Sequence, residues 1–311
     1  GAFGALAERA ARRLFGPRAA GQLAAGALAW LALVAASVGF AFLVPAAGAA
    51  AAGAVAALAG SDGAEAERAR VLGRWFAGVW LVYVSMAPRD LAAHALRVAR
   101  ALRTEGLPGG RRAVSMIVGR DTAELDEAGI VRAAVESVAE SSVDGVMAPM
   151  FWAFVLGPVG AFAYRAINTM DSMFGHKDER YILFGRVAAR SDDAANWPPA
   201  RLALPFIALA AFVTGGGARA ARGAWRTALR DHGKHESPNA AWPEAAFAGA
   251  LGVELGGPVS YGGERLEKPR LGAGLAPAAP RDIGRAVLLM YAAAFLLAAA
   301  GSALAFLLAS L

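Results

Sequence analysis

Segments without any charged residue alternate with polar segments along this chain. Residues 19–61, 145–164, 202–218 and 286–311 contain no Asp, Glu, Lys or Arg. A helix that crosses a bilayer needs about 20 apolar residues, so the first segment is long enough for two such helices and the last for one. A soluble all-helical protein with buried helices is the alternative, but it does not easily accommodate a charge-free C-terminal stretch.

The pattern predicts an all-α, polytopic integral membrane protein with about five or six hydrophobic helices, not all of them crossing. Three polar segments are longer than simple connections need to be, which is typical of functional regions. Because no internal repeat and no low-complexity linker is present, we expect one membrane domain over residues 1–311. Its expected hydrophobic segments are 22–60, 71–88, 145–165, 201–218 and 284–310, and its functional polar segments are 113–145, 166–201 and 232–272.

Composition narrows the function classes. The chain has 311 residues, is 57% hydrophobic and carries a formal net charge of +6. In a membrane protein such a basic balance more often reflects cytoplasmic loops than nucleic-acid binding. Disulfide and thiolate chemistry are excluded because there is no cysteine. Residues 1–18, basic and amphipathic, are typical of a helix at a membrane surface or of the end of a preceding span.

A stripe of charged residues is expected on one predicted helix. Arg132, Glu136, Glu140 and Asp144 are spaced four apart and so fall on one drifting face. The helix is expected to begin near Asp121 or Thr122, which are good N-cap residues. A solvated face is one interpretation. A site is the other, because carboxylates beside an apolar segment need a compensating cation such as Mg²⁺ or a basic partner.

Two further polar stretches offer ligand-binding groups. The sequence "NTMDSMFGHKDERY" (168–181) supplies carboxylate and amide oxygens together with Lys177 and Arg180, and Asp192 and Asp193 follow it. Oxygen-rich, thiol-free clusters suit Mg²⁺ rather than Zn²⁺. A glycine-rich stretch, 249–263, permits either close backbone approach to an anion or a set of turns. His176 is more typical of an ordinary surface histidine than of a metal ligand.

Three stretches closely resemble the adenosylcobinamide-phosphate synthase family, the CobD/CbiB membrane proteins of cobalamin biosynthesis. They are "SMIVGRDTAELDEAGIVRAAVESVAE" (115–140), "DGVMAPMFWA" with 168–181 and "FGRVAARSDDAANWPPARL" (144–202), and "NAAWPEAAFAGALGVELGGPVSYGGE" (239–264). The resemblance extends from Ala2 to Gly272. It departs from the family at Ser141 and Ser142, where Asn is common, and at His176 and Asp178, where Tyr and Asn are typical.

The resemblance implies ATP-dependent amide formation. A propionate carboxylate of adenosylcobyric acid would join the amine of 1-amino-2-propanol or its O-phosphate, giving adenosylcobinamide or its phosphate. ATP is then a co-substrate, Mg²⁺ its expected companion, and the corrinoid a substrate rather than a cofactor. The expected setting is the bacterial inner membrane with the active site on the cytoplasmic side, in contact with lipid and with other late cobalamin-pathway membrane enzymes, and without nucleic acid.

Charge pattern and resemblance together give three groups of candidate residues. The catalytic candidates are Glu136, Glu140, Asp144 and Asp171. The metal candidates are Glu140, Asp144, Asp171, Asp192 and Asp193. The candidates for binding substrate or ATP are Arg120, Asp121, Arg132, Asn168, Lys177, Glu179, Arg180, Tyr181, Asn239, Glu244, Gly256, Gly257, Tyr261, Gly262, Gly263 and Lys268. Which carboxylate accepts the proton of the amine is left open.

Two alternatives and one topological expectation remain. The alternatives are a non-enzymatic AmpE-like sensor or transport-linked protein and a membrane phosphotransferase, although no D-D-x-x-D signature is present. The expectation is that residues 145–164 do not cross the membrane straight, because both flanking polar segments carry the family motifs. Pro149, Gly157, Pro158 and Gly160 are the expected break points at which the helix re-enters.

Overall fold

Helices make up most of the computed structural model, which describes residues 19–175 and 181–311. Five helical stretches within these residues are long and apolar enough to cross a membrane. The prediction of an all-α polytopic membrane fold is therefore confirmed. The helices are α1 (Ala19–Leu58), α2 (Gly63–Ser85), α3 (Pro88–Val114), α4 (Glu127–Ser142), α5 (Ala148–Phe174), α6 (Arg186–Ala211), α7 (Gly217–Asp231), α8 (Ala241–Leu251) and α9 (Pro280–Ala309).

The chain forms two compact units. Of the described residues, the first contains 19–86, 148–175 and 181–195, and the second contains Ala87–Met147 and Asn196–Leu311. In the first unit, α1 and α2 pack backbone against backbone: a Cβ on Gly73 would lie 2.3 Å from the carbonyl oxygen of Gly48. Small residues at such contacts are typical of helices packed in membranes. The rings of Phe40 and Phe162 lie 5.4 Å apart and join α1 to α5.

Helix α5 folds back on itself at Gly157. This glycine has φ 68° and ψ −163°, a conformation that residues with a side chain rarely adopt. A Cβ on Gly160 would lie 2.4 Å from the carbonyl oxygen of Trp152. In a straight helix, residues eight apart are separated by about 12 Å along the axis. The arm Ala148–Leu156 is about 14 Å long by the same rise and is too short to cross a hydrocarbon layer of about 30 Å.

The fold-back supports the expectation that the polar segments on either side of residues 145–164 face the same compartment. We expect single cysteines at exposed Ala123 and Ile182 to react with a membrane-impermeant maleimide from the same side of sealed vesicles. Both positions are exposed, so a reagent can reach each of them. Labelling after permeabilisation is the control for reactivity. Labelling from opposite sides would show that residues 145–164 cross.

The second unit places helix α8 by close backbone contact. A Cβ on Gly223 of α7 would lie 2.3 Å from the carbonyl oxygen of Gly249, and a Cβ on Gly249 would lie 2.1 Å from that of Gly223. Helix α3 is interrupted at Gly106, which has φ 65° and ψ −157°. Helix α9 packs beside α3, where the hydroxyl of Tyr291 donates to the carbonyl oxygen of Pro88 at 3.2 Å.

A small sheet in the second unit was not predicted. It contains β1 (Val253–Tyr261), β2 (Glu264–Leu271) and β3 (Ala276–Pro277), in the order β2-β1-β3. Strands β1 and β2 are antiparallel and joined by Gly262 and Gly263, whose φ angles of 58° and 86° suit a two-residue hairpin turn. A register shift between Gly256 and Pro258 forms a bulge, in which Lys268 and Pro269 of β2 lie opposite Gly257 of β1.

Candidate functional site

Glu136 is the carboxylate that holds the site together. It lies on α4, and its side chain is only 8% exposed. Its Oε2 accepts a hydrogen bond from Arg120 at 2.5 Å, and its Oε1 accepts one from the backbone N–H of Gly256 at 2.6 Å. Burial lowers the pKa of Arg120, but the charge and hydrogen bond of Glu136 outweigh this effect and the pKa is raised. Glu136 thus fixes the loop before α4 and strand β1 beside the bulge.

The other members of the predicted stripe have different surroundings. Arg132 donates from Nη2 to the carbonyl oxygen of Pro258 at 2.9 Å, and its Nε lies 3.9 Å from Glu136. Glu140 is exposed, and Asp144 lies half-buried in a π-helical turn, Val143–Met147. The solvated-face interpretation therefore does not describe Glu136.

Glu244 is a buried carboxyl group in the middle of other ionisable groups. It lies in the first turn of α8, and its residue is 7% exposed. Burial raises its pKa most, and the negative charges of Glu140 and Glu136 raise it further. The positive charges of Lys268 and Arg120 oppose these effects without cancelling them, so the pKa stays well above its ordinary range.

Lys268 brings the hairpin into the same group. Its Nζ donates to the hydroxyl of Tyr261 at 3.2 Å and lies 5.5 Å from the centre of that ring. Burial lowers the pKa of His235, and the charge of Lys268 lowers it further, so Lys268 acts on His235 as well as on Glu244. We call Arg120, Glu136, Glu140, His235, Glu244, Tyr261 and Lys268 the Glu244 cluster.

Asp121 connects the loop before α4 to the hairpin turn. Its N–H donates to the carbonyl oxygen of Ser260 at 2.8 Å, and its Oδ2 accepts from the N–H of Gly263 at 2.7 Å. The expected helix start near Asp121 or Thr122 was wrong, because Asp126 is the N-cap and accepts from the N–H of Gly129 at 2.7 Å. Asp121 is committed to the hairpin instead.

The predicted glycines form a turn and bring the backbone close to a side chain of the protein, while their approach to a bound anion stays a prediction. Gly262 and Gly263 form the hairpin turn, as the turn interpretation expects. Gly256 brings its N–H to a carboxylate side chain, and its neighbour Gly257 has φ 84°.

Arg201, which the sequence reasoning did not select, holds Asn239. Its Nη1 donates to Asn239 Oδ1 at 3.1 Å, and its guanidinium lies 4.4 Å from the centre of the Trp197 ring. His235 was also missed. A signal for His235 lay in the polar stretch that precedes the glycine-rich segment, where "RDHGKHESPNAAW" concentrates ionisable and amide groups.

Five predicted residues that the structure describes lie in the first unit. Asn168 donates from Nδ2 to Asp192 Oδ1 at 3.2 Å and accepts from Arg165 at 3.3 Å. The carbonyl oxygen of Asp171 accepts from Gly175 at 2.6 Å, and Asp193 is half-buried. Tyr181 packs its ring 5.6 Å from that of Phe174. Lys177, Glu179 and Arg180, together with His176 and Asp178, lie outside the described residues.

Metal binding stays a prediction. Among residues 19–175 and 181–311, no group of three or more His, Asp or Glu side chains is arranged to hold a metal ion. Mg²⁺ commonly takes only one or two protein carboxylates and completes its shell with water and phosphate. The expected meeting of Asp171, Asp192 and Asp193 with Glu136, Glu140 and Asp144 is likewise untested.

Comparison with known proteins identifies close relatives. The family model described as CobD/Cbib protein matches residues 1–290. Cobalamin biosynthesis protein CobD of Rhizobium meliloti is 54% identical over 213 residues, which are 68% of this chain and 65% of that protein. Cobalamin biosynthesis protein CbiB of Salmonella typhi is 47% identical over 223 residues, 71% of this chain and 69% of that protein. The match thus spans about two thirds of these relatives, and no solved structure is similar to the chain.

Proposed function

The chain belongs to the CobD/CbiB family, and from this premise we propose that it acts in cobalamin biosynthesis as an ATP-dependent amide-forming ligase. Its substrates are adenosylcobyric acid and 1-amino-2-propanol or its O-phosphate, and its product is adenosylcobinamide or its phosphate. The reaction takes place at the cytoplasmic face of a bacterial inner membrane, where ATP is available.

The proposed reaction has two steps. A propionate carboxylate attacks the γ-phosphorus of ATP, which forms a C–O–P acyl phosphate and releases ADP. The amine then attacks the acyl carbon, the C–N bond forms, and inorganic phosphate leaves as the C–O bond breaks. One proton of the ammonium group must be removed before or during the attack, so the site needs a proton acceptor.

The observation that carries the proposal is the position of Glu244. It is a buried carboxyl group whose raised pKa makes it a stronger base than an ordinary glutamate. Lys268 and Arg120, which carry the opposite charge, act on it electrostatically. A carboxylate for the ammonium proton and cations for the phosphoryl oxygens are what the second step requires. We therefore assign Glu244 the role of proton acceptor.

Arg120 and Glu136 have a positioning role in this scheme. Both oxygens of Glu136 are already committed, one to Arg120 and one to Gly256. Glu140 and Asp144 fit Mg²⁺ by their donor chemistry, since that ion prefers carboxylate oxygens, and Mg²⁺ would neutralise the phosphate charge of ATP there. Lys268 on the hairpin, whose positive charge also acts on Glu244, would neutralise part of the charge of the phosphoryl oxygens.

Turnover by the purified chain in lipid nanodiscs tests this function. With adenosylcobyric acid, aminopropanol phosphate, ATP and Mg²⁺, we expect the amide by mass spectrometry and one ADP and one phosphate per amide. Release of AMP and pyrophosphate would contradict the acyl phosphate. Complementation of a synthase-null strain, with cobinamide as the control supplement, tests the function in cells. A protein that inserts normally and yields neither product nor complementation would overturn it.

A further inference from the structure

A second polar cavity lies on the opposite face of the β1–β2 hairpin from Lys268 and Tyr261. It has a volume of about 870 Å³ and lies within the second unit, between the start of α4 and the sheet. Three arginines line it, namely Arg132 on α4 and both Arg265 and Arg270 on β2. None of the roles proposed above uses this cavity.

Gly257 allows two of these arginines to converge. A Cβ on Gly257 would lie 3.3 Å from Arg132 Nη1 and 3.7 Å from Arg270 Cζ. The two guanidinium groups therefore flank the same point of the backbone. Like charges this close repel unless an anion lies between or beside them.

Arg132 also has a donor with no acceptor. Its Nε is buried and makes no hydrogen bond among the described residues. The nearest carboxylate oxygen, on Glu136, lies 3.9 Å away, which is too far for a hydrogen bond. A buried donor without an acceptor is costly, so a ligand that supplies an acceptor here is favoured.

Most of the acidic groups at the cavity have other partners. Asp121 is bonded to Gly263, and Asp126 caps α4. Burial raises the pKa of Glu254, but its hydrogen bonds from Arg270 and Gly274 and the charge of Arg132 lower it below the ordinary range. Glu254 thus stays ionised and holds Arg270, which keeps the remaining N–H groups of its fork for a ligand. Arg265 is exposed and paired with Glu267 at 3.1 Å.

We propose that Arg132 and Arg270 form a phosphoryl-binding subsite at Gly257. Guanidinium forks match the oxygens of a phosphoryl group in pairs, which is why arginine is favoured at such sites. The inference rests on the proposed function, which supplies two possible ligands. One is the polyphosphate of ATP, and the other is the phosphate ester of the amine. Either one would place its phosphoryl group between the two guanidinium groups.

Direct binding tests the subsite without turnover. Calorimetric titration of the protein in nanodiscs with pyrophosphate is expected to show binding that Arg270→Gln weakens about tenfold or more, as expected for a lost charged hydrogen bond. Gly257→Ala is expected to weaken it as well, because the methyl group would enter the space between the two guanidinium groups at a positive φ. Arg265→Gln is the matched control and should bind like the wild type. If Arg270→Gln does not fold, Arg270→Lys keeps the charge and removes the fork.

Steady-state kinetics identifies which phosphate occupies the subsite. A rise of about tenfold in KM for ATP alone, with kcat nearly unchanged, assigns it to the nucleotide. A rise confined to aminopropanol phosphate, absent with free aminopropanol, assigns it to the ester. Pyrophosphate binding by Arg270→Gln equal to that of Arg265→Gln, or no binding to the wild type, overturns the subsite. A protein that binds pyrophosphate through Arg270 but forms no amide overturns the proposed function and not the subsite.

Discussion

Glu244→Gln is expected to lower the rate of amide formation by about 10²–10⁴-fold, the usual contribution of a positioned general base. Gln keeps the shape of the side chain but cannot accept the proton of the amine. For the wild type, the rate should fall as the pH is lowered through the raised pKa of Glu244, because the carboxyl group becomes protonated. This dependence should be absent from the residual activity of the variant.

Stability offers an independent measurement on the same variant. A raised pKa means that folded Glu244 keeps its proton at a pH where the unfolded chain has lost it. The free energy of unfolding therefore falls as the pH rises from the ordinary glutamate range through the raised pKa. Glu244→Gln should lack this fall and be the more stable protein at pH 8.

A matched control is Glu267→Gln, which removes a carboxylate that is 69% exposed on the same unit. It should change neither the rate nor the pH dependence. Wild-type turnover by Glu244→Gln would remove this residue from the reaction and leave Glu140 as the next candidate.

Glu136→Leu is expected to lower the free energy of unfolding by about 3–5 kcal/mol, the usual cost of leaving one charge of a buried pair without its partner. Arg120 and Glu136 are 12% and 8% exposed, so water does little to compensate Arg120. The N–H of Gly256 loses its acceptor at the same time. Reversible unfolding in bicelles measures the change.

The double variant Arg120→Met, Glu136→Leu separates the charge from the packing. Because it removes both charges, it should be more stable than Glu136→Leu alone, although Gly256 still lacks its acceptor. Equal stability of the single and double variants would show that the ion pair does not account for the loss.

The membrane helices could be predicted from the sequence because hydropathy is a local property. The charge-free segment 286–311 needs no partner to be recognised as a membrane helix, and it forms most of α9. The break in residues 145–164 was also predictable, because glycine and proline both disfavour the interior of a helix. That Gly157, rather than Pro149, turns the chain required the backbone angles.

The sheet was missed although its signal is present. Gly262 and Gly263 separate "VELGGPVSY" from "ERLEKPRL", and a two-glycine turn between such runs is a hairpin signal. The glycines at 256 and 257 obscured it, because glycine and proline inside a strand usually argue against one. The bulge resolves the conflict, because the ladder is interrupted where Gly257 faces the extra residue of β2.

The partners within the site could not be predicted, because they are far apart in sequence. The spacing of Arg132 and Glu136 suggested an i,i+4 pair, yet Glu136 makes its short contact with Arg120, 16 residues away. Glu244 and Glu140 are likewise brought together only by the folding of the second unit. Tertiary packing decides such contacts, and local spacing gives only their candidates.

Gly223 and Gly249 fix one another's identity. Enlarging either one directs a methyl group at the other's carbonyl oxygen, and no second substitution can compensate, because neither residue has a side chain to give up. The close spacing of α7 and α8 therefore requires glycine at both positions. Helix α8 carries Glu244, so the freedom to evolve or engineer the proposed chemistry depends on two positions that bear no functional group.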